Sequence, residues 1–161
     1  MKVLRALMYM AIMTAMISLY GCNKTDYEES QPFNGQWIGH ISDTYYQDRY
    51  NEDIMNWFSE MMFYYGNVSS QEGNGLQFDY NVNTYKYKFY NFTWSANDDN
   101  LWVYYEDGTV LFIKNYSFTS NTLRGEYYDY NTNIKESEFL LNKTNTWVDY
   151  RQQPKYTEWT K

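Results

Sequence analysis

Cysteine, histidine, proline and basic residues are all scarce in this chain, and each shortage removes a class of chemistry. There is one cysteine, Cys22, and one histidine, His40. Disulfides within the chain are therefore impossible, and Cys/His zinc sites, Cys–His nucleophile pairs and Ser-His-Asp chemistry with a choice of histidines are gone or nearly gone. Lys and Arg number 13 against 20 Asp and Glu, a formal net charge of −7 over 161 residues. Neutralising phosphates takes clustered cations, so no nucleic-acid partner is expected. The two prolines, Pro32 and Pro154, leave everything between them free of the residue that interrupts strand ladders. The length suits about one domain.

Long apolar runs are also rare, and the clearest one is N-terminal. Met1-Lys2-Val3-Leu4-Arg5 sets two cations ahead of an apolar run at 6–20, which ends in Leu19-Tyr20-Gly21-Cys22. About 15 residues fall short of the roughly 20 that a spanning helix needs. Residues 1–21 accordingly read as an export signal. Its removal takes Lys2 and Arg5 but no acid, and leaves 140 residues with a formal charge of −9. Leu19, Tyr20 and Gly21 ahead of Cys22 resemble the bacterial lipobox. The resemblance implies cleavage between Gly21 and Cys22, a diacylglyceryl group on the Cys22 sulfur and a fatty acid such as palmitate on its amino group. Two or three acyl chains anchor stably, at about 0.8 kcal/mol per buried CH₂. The alternative is an ordinary secretory signal with a chance cysteine.

Residues 22–32 are polar, lack periodicity and read as a flexible tether. Within them Asp26, Glu28 and Glu29 resemble the acidic patch that marks Bacteroidota lipoproteins for the outer face of the outer membrane; a solvated acidic linker is the alternative. The expected location is the outer membrane, held by lipid, on its periplasmic face or at the cell surface.

The body of the chain is rich in what remains. Of the 140 residues after the signal, 33 are aromatic and 18 are tyrosine. Turn-forming clusters such as Gly73-Asn74-Gly75, Asn97-Asp98-Asp99-Asn100, Glu106-Asp107-Gly108 and Asn131-Thr132-Asn133 separate runs of Tyr, Phe, Trp, Val and Thr. That pattern predicts an all-β meander of about eight strands, at 36–48, 57–65, 75–82, 85–95, 101–106, 109–118, 122–129 and 136–142. Alternation predicts buried faces at Leu76, Phe78, Tyr80 and Val82, at Leu101, Val103 and Tyr105, and at Leu123, Gly125 and Tyr127. The aromatic parity changes within 85–94 and again between Ile113 and Tyr116, which predicts β-bulges near Phe89-Tyr90 and near Asn115. Ile54, Trp57, Phe58, Met61, Met62 and Tyr65 also fit a helical period. A strand over 57–65 is favoured because the strand beyond it needs a partner.

Eight antiparallel strands suffice to close an up-and-down barrel. Asn34-Gly35-Gln36-Trp37-Ile38-Gly39 resembles the Gly-x-Trp signature that opens the first strand of lipocalin-like (calycin) barrels. Phe92-Thr93-Trp94, Leu101-Trp102-Val103-Tyr104-Tyr105, Asp107-Gly108 and Asn115-Tyr116-Ser117-Phe118 are similar to the C-terminal half of small Bacteroidota lipoproteins with that fold. The resemblance covers about 33–142 and implies a lipocalin-like barrel over 33–151, followed by a C-terminal tail at 152–161. It also implies that Gly35 and Trp37 close the base of the barrel; Trp102 and Trp159 are expected to be exposed.

Tyrosine, with an apolar ring and a hydroxyl that needs a partner, suits barrel interiors, glycan-stacking surfaces and interfaces alike. Whether the barrel is filled by its own aromatic side chains or hollow stays open. Candidate ligand contacts are Tyr80, Tyr87, Phe89, Tyr105 and Tyr127. Candidate surface stackers are the pairs Tyr45-Tyr46, Tyr64-Tyr65, Tyr104-Tyr105 and Tyr127-Tyr128. Asp98, Asp99, Asp107 and Asp129 fall in turns, where Asp caps its own backbone. His40 reads as an ordinary edge histidine. No catalytic residue, metal site or cofactor is expected. The function expected is non-catalytic binding of a small apolar or glycan ligand, or of an envelope protein. The alternative is loop-mediated inhibition of an envelope-directed enzyme such as a lysozyme or protease.

Overall fold

A computed structural model describes residues 33, 35–51, 53–65 and 71–160. The expectations for the signal, the tether, Gly21 and Cys22 lie outside those residues. Among these residues nine strands and one α-helix follow in order: β1 (Gly35–Gly39), α1 (Asp43–Tyr50), β2 (Trp57–Tyr65), β3 (Glu72–Asn81), β4 (Lys86–Ala96), β5 (Asn100–Tyr105), β6 (Val110–Phe118), β7 (Thr122–Tyr128), β8 (Lys135–Thr144) and β9 (Thr157–Glu158). Each of the first eight strands pairs antiparallel with its sequence neighbours, and β1 pairs with β8. The result is an eight-stranded antiparallel up-and-down closed barrel, an architecture compatible with a lipocalin-like fold. Closure leaves the eight strands without a free edge.

Most strand limits fall within a few residues of those read from the turns; the first does not. Strand structure ends at Gly39, and residues 43–50 form a helix where a strand over 36–48 was expected. Its signals are local. Ser42 caps it by accepting from the Tyr45 N–H at 3.0 Å, Asp43 and Arg49 complement the helix dipole, and Asn51 ends it at φ 52°. The ambiguous segment resolves as a short 3₁₀ turn (Ile54–Asn56) leading into β2, so the strand is the form adopted over 57–65.

The barrel's inner and outer faces differ from expectation on β3. Gln77, Asp79 and Asn81 point inward, while Phe78 and Tyr80 lie on the outside of the wall, and all five are buried. The outer side is covered because the chain after β8 returns across β2–β4. Trp147 packs on Phe78, Tyr150 stacks on Tyr80 with centroids 4.3 Å apart, and β9 pairs in parallel with the start of β4. The same cover removes the need for a bulge near Phe89-Tyr90. The β3–β4 register runs unbroken from Glu72↔Ser95 to Tyr80↔Tyr87. Aromatic residues change parity there because the first half of β4 is buried on its outer face and the second half on its inner face. The other expected bulge is present: the β6–β7 register shifts between Lys114 and Ser117, and Asn115 has φ 50°.

Both ends of the barrel are stoppered. At the base Trp37 is 1% exposed and donates its indole N–H to the Phe33 carbonyl at 3.0 Å. Phe33 is ringed by Phe63, Trp94, Tyr116 and Phe118. Gly35 turns the chain in at φ 150°, where a Cβ would lie 2.7 Å from Lys143 Cε. At the other end α1 lays Tyr45, Tyr46 and Tyr50 into the barrel, and Tyr50 stacks on Trp57 at 3.8 Å. Trp159 is half-buried with its ring perpendicular to those of Tyr50 and Trp57, and Trp102 is half-buried against Phe112, where both were expected to be exposed.

Candidate functional site

Among the described residues four places gather polar or aromatic side chains, two of them packed and two open to solvent. The first is the barrel interior. Asp79, with no exposed surface, accepts hydrogen bonds from Tyr45 at 3.0 Å, Tyr50 at 2.7 Å, Ser59 at 2.5 Å and Gln77 at 2.5 Å. Tyr105 donates to the Gln77 side-chain Oε1 at 2.5 Å, which makes the cluster continuous across α1, β2, β3 and β5. The Arg49 guanidinium lies over the rings of Tyr45, Tyr90 and Tyr105 and pairs with Asp107 at 3.2 Å. Burial pushes the Asp79 carboxyl above the usual carboxylate range, against the pull of Arg49 and its hydrogen-bond donors. Burial likewise raises the phenols of Tyr45, Tyr50 and Tyr105. A network whose donors and acceptors satisfy one another rigidifies a core.

The second place is the outer face beneath the returning C-terminal chain. It holds three of the five expected ligand contacts: Tyr80 and Tyr87 are buried there, and Phe89 is half-covered, with the Arg151 guanidinium 4.8 Å from its ring centroid. The other two, Tyr105 and Tyr127, are inside the barrel. The structure therefore splits the five into two groups on opposite sides of the wall, each already packed by the protein's own side chains. Of the expected surface stackers, Tyr45 and Tyr46 are both buried in the plug. His40 bridges the Trp57 carbonyl and the Asp43 carboxylate, each at 2.9 Å, and so pins the turn between β1 and α1.

The third place is an open groove of 540 Å³ on the outer wall of β2–β5. Tyr64, Asn74, Thr93 and Tyr104 form one row across four strands, because Tyr64 pairs with Asn74, Asn74 with Thr93 and Thr93 with Tyr104. Leu76 and Asn91 continue the floor on one side. On the other, a hollow of 400 Å³ shares Asn74, Thr93 and Tyr104 and runs on to Glu72 and Ser95. The wall can bend inward here because Gly73 and Gly75 present no side chain to the interior, and a Cβ at Gly75 would meet the Phe92 ring at 2.1 Å. Sequence reasoning singled out the Tyr64-Tyr65 and Tyr104-Tyr105 pairs but could not join them, since the row exists only once three strand registers are fixed.

A further hollow of 570 Å³ lies beside α1, between Arg49, Lys88, Tyr90, Asp107 and Trp159. Its charges are largely engaged: Arg49 is paired with Asp107, and Lys88 donates to the Trp159 carbonyl at 3.4 Å. Among the described residues no group of three His, Cys, Asp or Glu side chains comes together to hold a metal ion, and no helix is long and apolar enough to cross a membrane. No family model, curated protein or solved structure matches the chain.

Proposed function

We propose that the protein is a lipid-anchored, non-catalytic binding module of the bacterial outer membrane, of the small lipoprotein type, and that it recognises its partner with the outer wall of the barrel. The observation that carries this reading is the filled interior. The base is stoppered by Phe33 and Trp37, the other end by α1, and the space between by Asp79 and its tyrosines. Among the described residues the interior is packed by these side chains, whereas the groove between Tyr64 and Tyr104 is open. Ligand sites are concave and combine aromatic surface with a few polar groups, and the groove has both. The charge balance supports an uncharged or cationic partner.

The test uses the full chain, extracted in detergent from the cells that make it. Fatty-acid labelling should be present and should vanish in Cys22→Ala. Saturable binding to isolated envelope material is expected, weakened at least tenfold in a Tyr64→Ala/Tyr104→Ala double variant that keeps its melting temperature. Binding indifferent to that double substitution, or an apolar small molecule co-purifying at one per chain, would overturn the reading.

A further inference from the structure

We infer that the groove of β2–β5 takes an uncharged polysaccharide chain, laid across the strands from Tyr64 to Tyr104. This rests on the wall-binding reading and names its ligand. The two phenol rings stand three strand spacings apart, roughly 14 Å. Tyr64 is 42% and Tyr104 38% exposed. The Tyr64 hydroxyl donates to the Met62 sulfur, which ties that ring to its own strand. Asn74 and Thr93 between the rings and Asn91 beside them are exposed, and none of their side chains is hydrogen-bonded to another described residue.

The chemistry of this set selects among ligands. A sugar ring has an apolar C–H face and a rim of hydroxyls. A phenol ring takes the face, and a carboxamide, with donor and acceptor side by side, takes neighbouring hydroxyls. An apolar ligand would exclude water from Asn74 and Asn91 and leave their amides unpaired, at a cost of about 1–3 kcal/mol for each buried group. The charged residues lining the groove and its extension are Glu72 and Glu106, with no Lys or Arg among the described lining residues. Phosphates, nucleic acids and acidic polysaccharides are thereby disfavoured. Because the 540 Å³ and 400 Å³ hollows share three residues and run on from one another, the site suits several consecutive sugar units better than a single one.

The experiment is native electrophoresis of the full detergent-extracted chain in gels cast with β-glucan, xylan, galactomannan or, as the acidic control, pectate. Retardation is expected in at least one neutral gel and not in pectate. It should fall at least fivefold in Tyr64→Ala and in Tyr104→Ala, fall measurably in Asn74→Ala, and persist in Tyr130→Ala, an exposed tyrosine outside the groove. Mild periodate oxidation of envelope material, which cleaves vicinal diols, should abolish the groove-dependent binding. Retardation by none of the neutral polysaccharides would overturn the saccharide assignment. So would groove-dependent envelope binding that survives periodate and is not competed by any of the neutral polysaccharides, which points to a protein partner and leaves the wall-binding reading standing. Envelope binding unaffected by the tyrosine pair removes both.

Discussion

Asp79 is a carboxyl held at the centre of the molecule by four donors. Removing it would leave Tyr45, Tyr50, Ser59 and Gln77 with buried donors facing one another. Asp79→Ala is therefore expected to cost about 3–5 kcal/mol, and Asp79→Asn less, because the amide keeps the shape and one acceptor. Denaturant midpoints measure both, and equal losses would mean that the network contributes little. Trp37→Ala should also cost about 3–5 kcal/mol, the range for truncating a large buried aromatic residue, which is much of the stability of a small domain. Trp159 is only half-buried, its ring perpendicular to those of Tyr50 and Trp57, so Trp159→Ala should cost about 1–2 kcal/mol. A larger loss at Trp159 than at Trp37 would contradict the packing described for the base. Trp37 was legible from the Gly-x-Trp pattern. Asp79 was not, because an acid alternating with Phe78 and Tyr80 reads as the solvent side of a strand.

At the scale of elements, the strap formed by the chain after β8 is the feature that most changes the reading. It lies over Glu60 of β2, which is 1% exposed and accepts from the Val148 N–H, with Oε1 unpartnered. Burial pushes this carboxyl up from 4.5 to about 7. The folded state then holds its proton more tightly than the unfolded chain, so stability is greatest below about pH 4.5 and falls as pH rises to about 7, beyond which it levels. The loss attributable to Glu60 is up to roughly 3 kcal/mol. Asp79 is shifted in the same direction, so Glu60→Gln should remove only part of the pH dependence and should stabilise the protein at pH 8. A melting temperature for Glu60→Gln that tracks the parent from pH 4.5 to 8 would refute this. Strands β3–β8 were legible because Asn, Asp and Gly turns bound them. The face of β3 and the register of β4 were not, because alternation assigns faces only where one side of a sheet is wet, and the strap buries both sides over 77–81. Helix α1 was hidden by its tyrosines, which suit a strand equally well; its Ser42-Asp43 start and Asn51 stop were the available signals.

For the whole molecule, the order of strands and the closed barrel were readable from turn spacing, whereas the packed interior and the open groove on the outer wall emerge only from which side chains meet. Phe33 and Trp37 mark one end of the barrel. The Tyr64–Tyr104 groove also lies toward that end, since it is built from the close of β2, the opening of β3 and the later part of β4. The central claim is that recognition happens on this wall while the interior stays closed. Hydroxyl-radical footprinting of tyrosines in the full chain, with and without saturating envelope material, reads both halves of it at once. The account predicts protection of Tyr64 and Tyr104 with no change at Tyr45, Tyr50, Tyr105 or Tyr127; protection confined to those interior tyrosines, or none at Tyr64 and Tyr104, would contradict it.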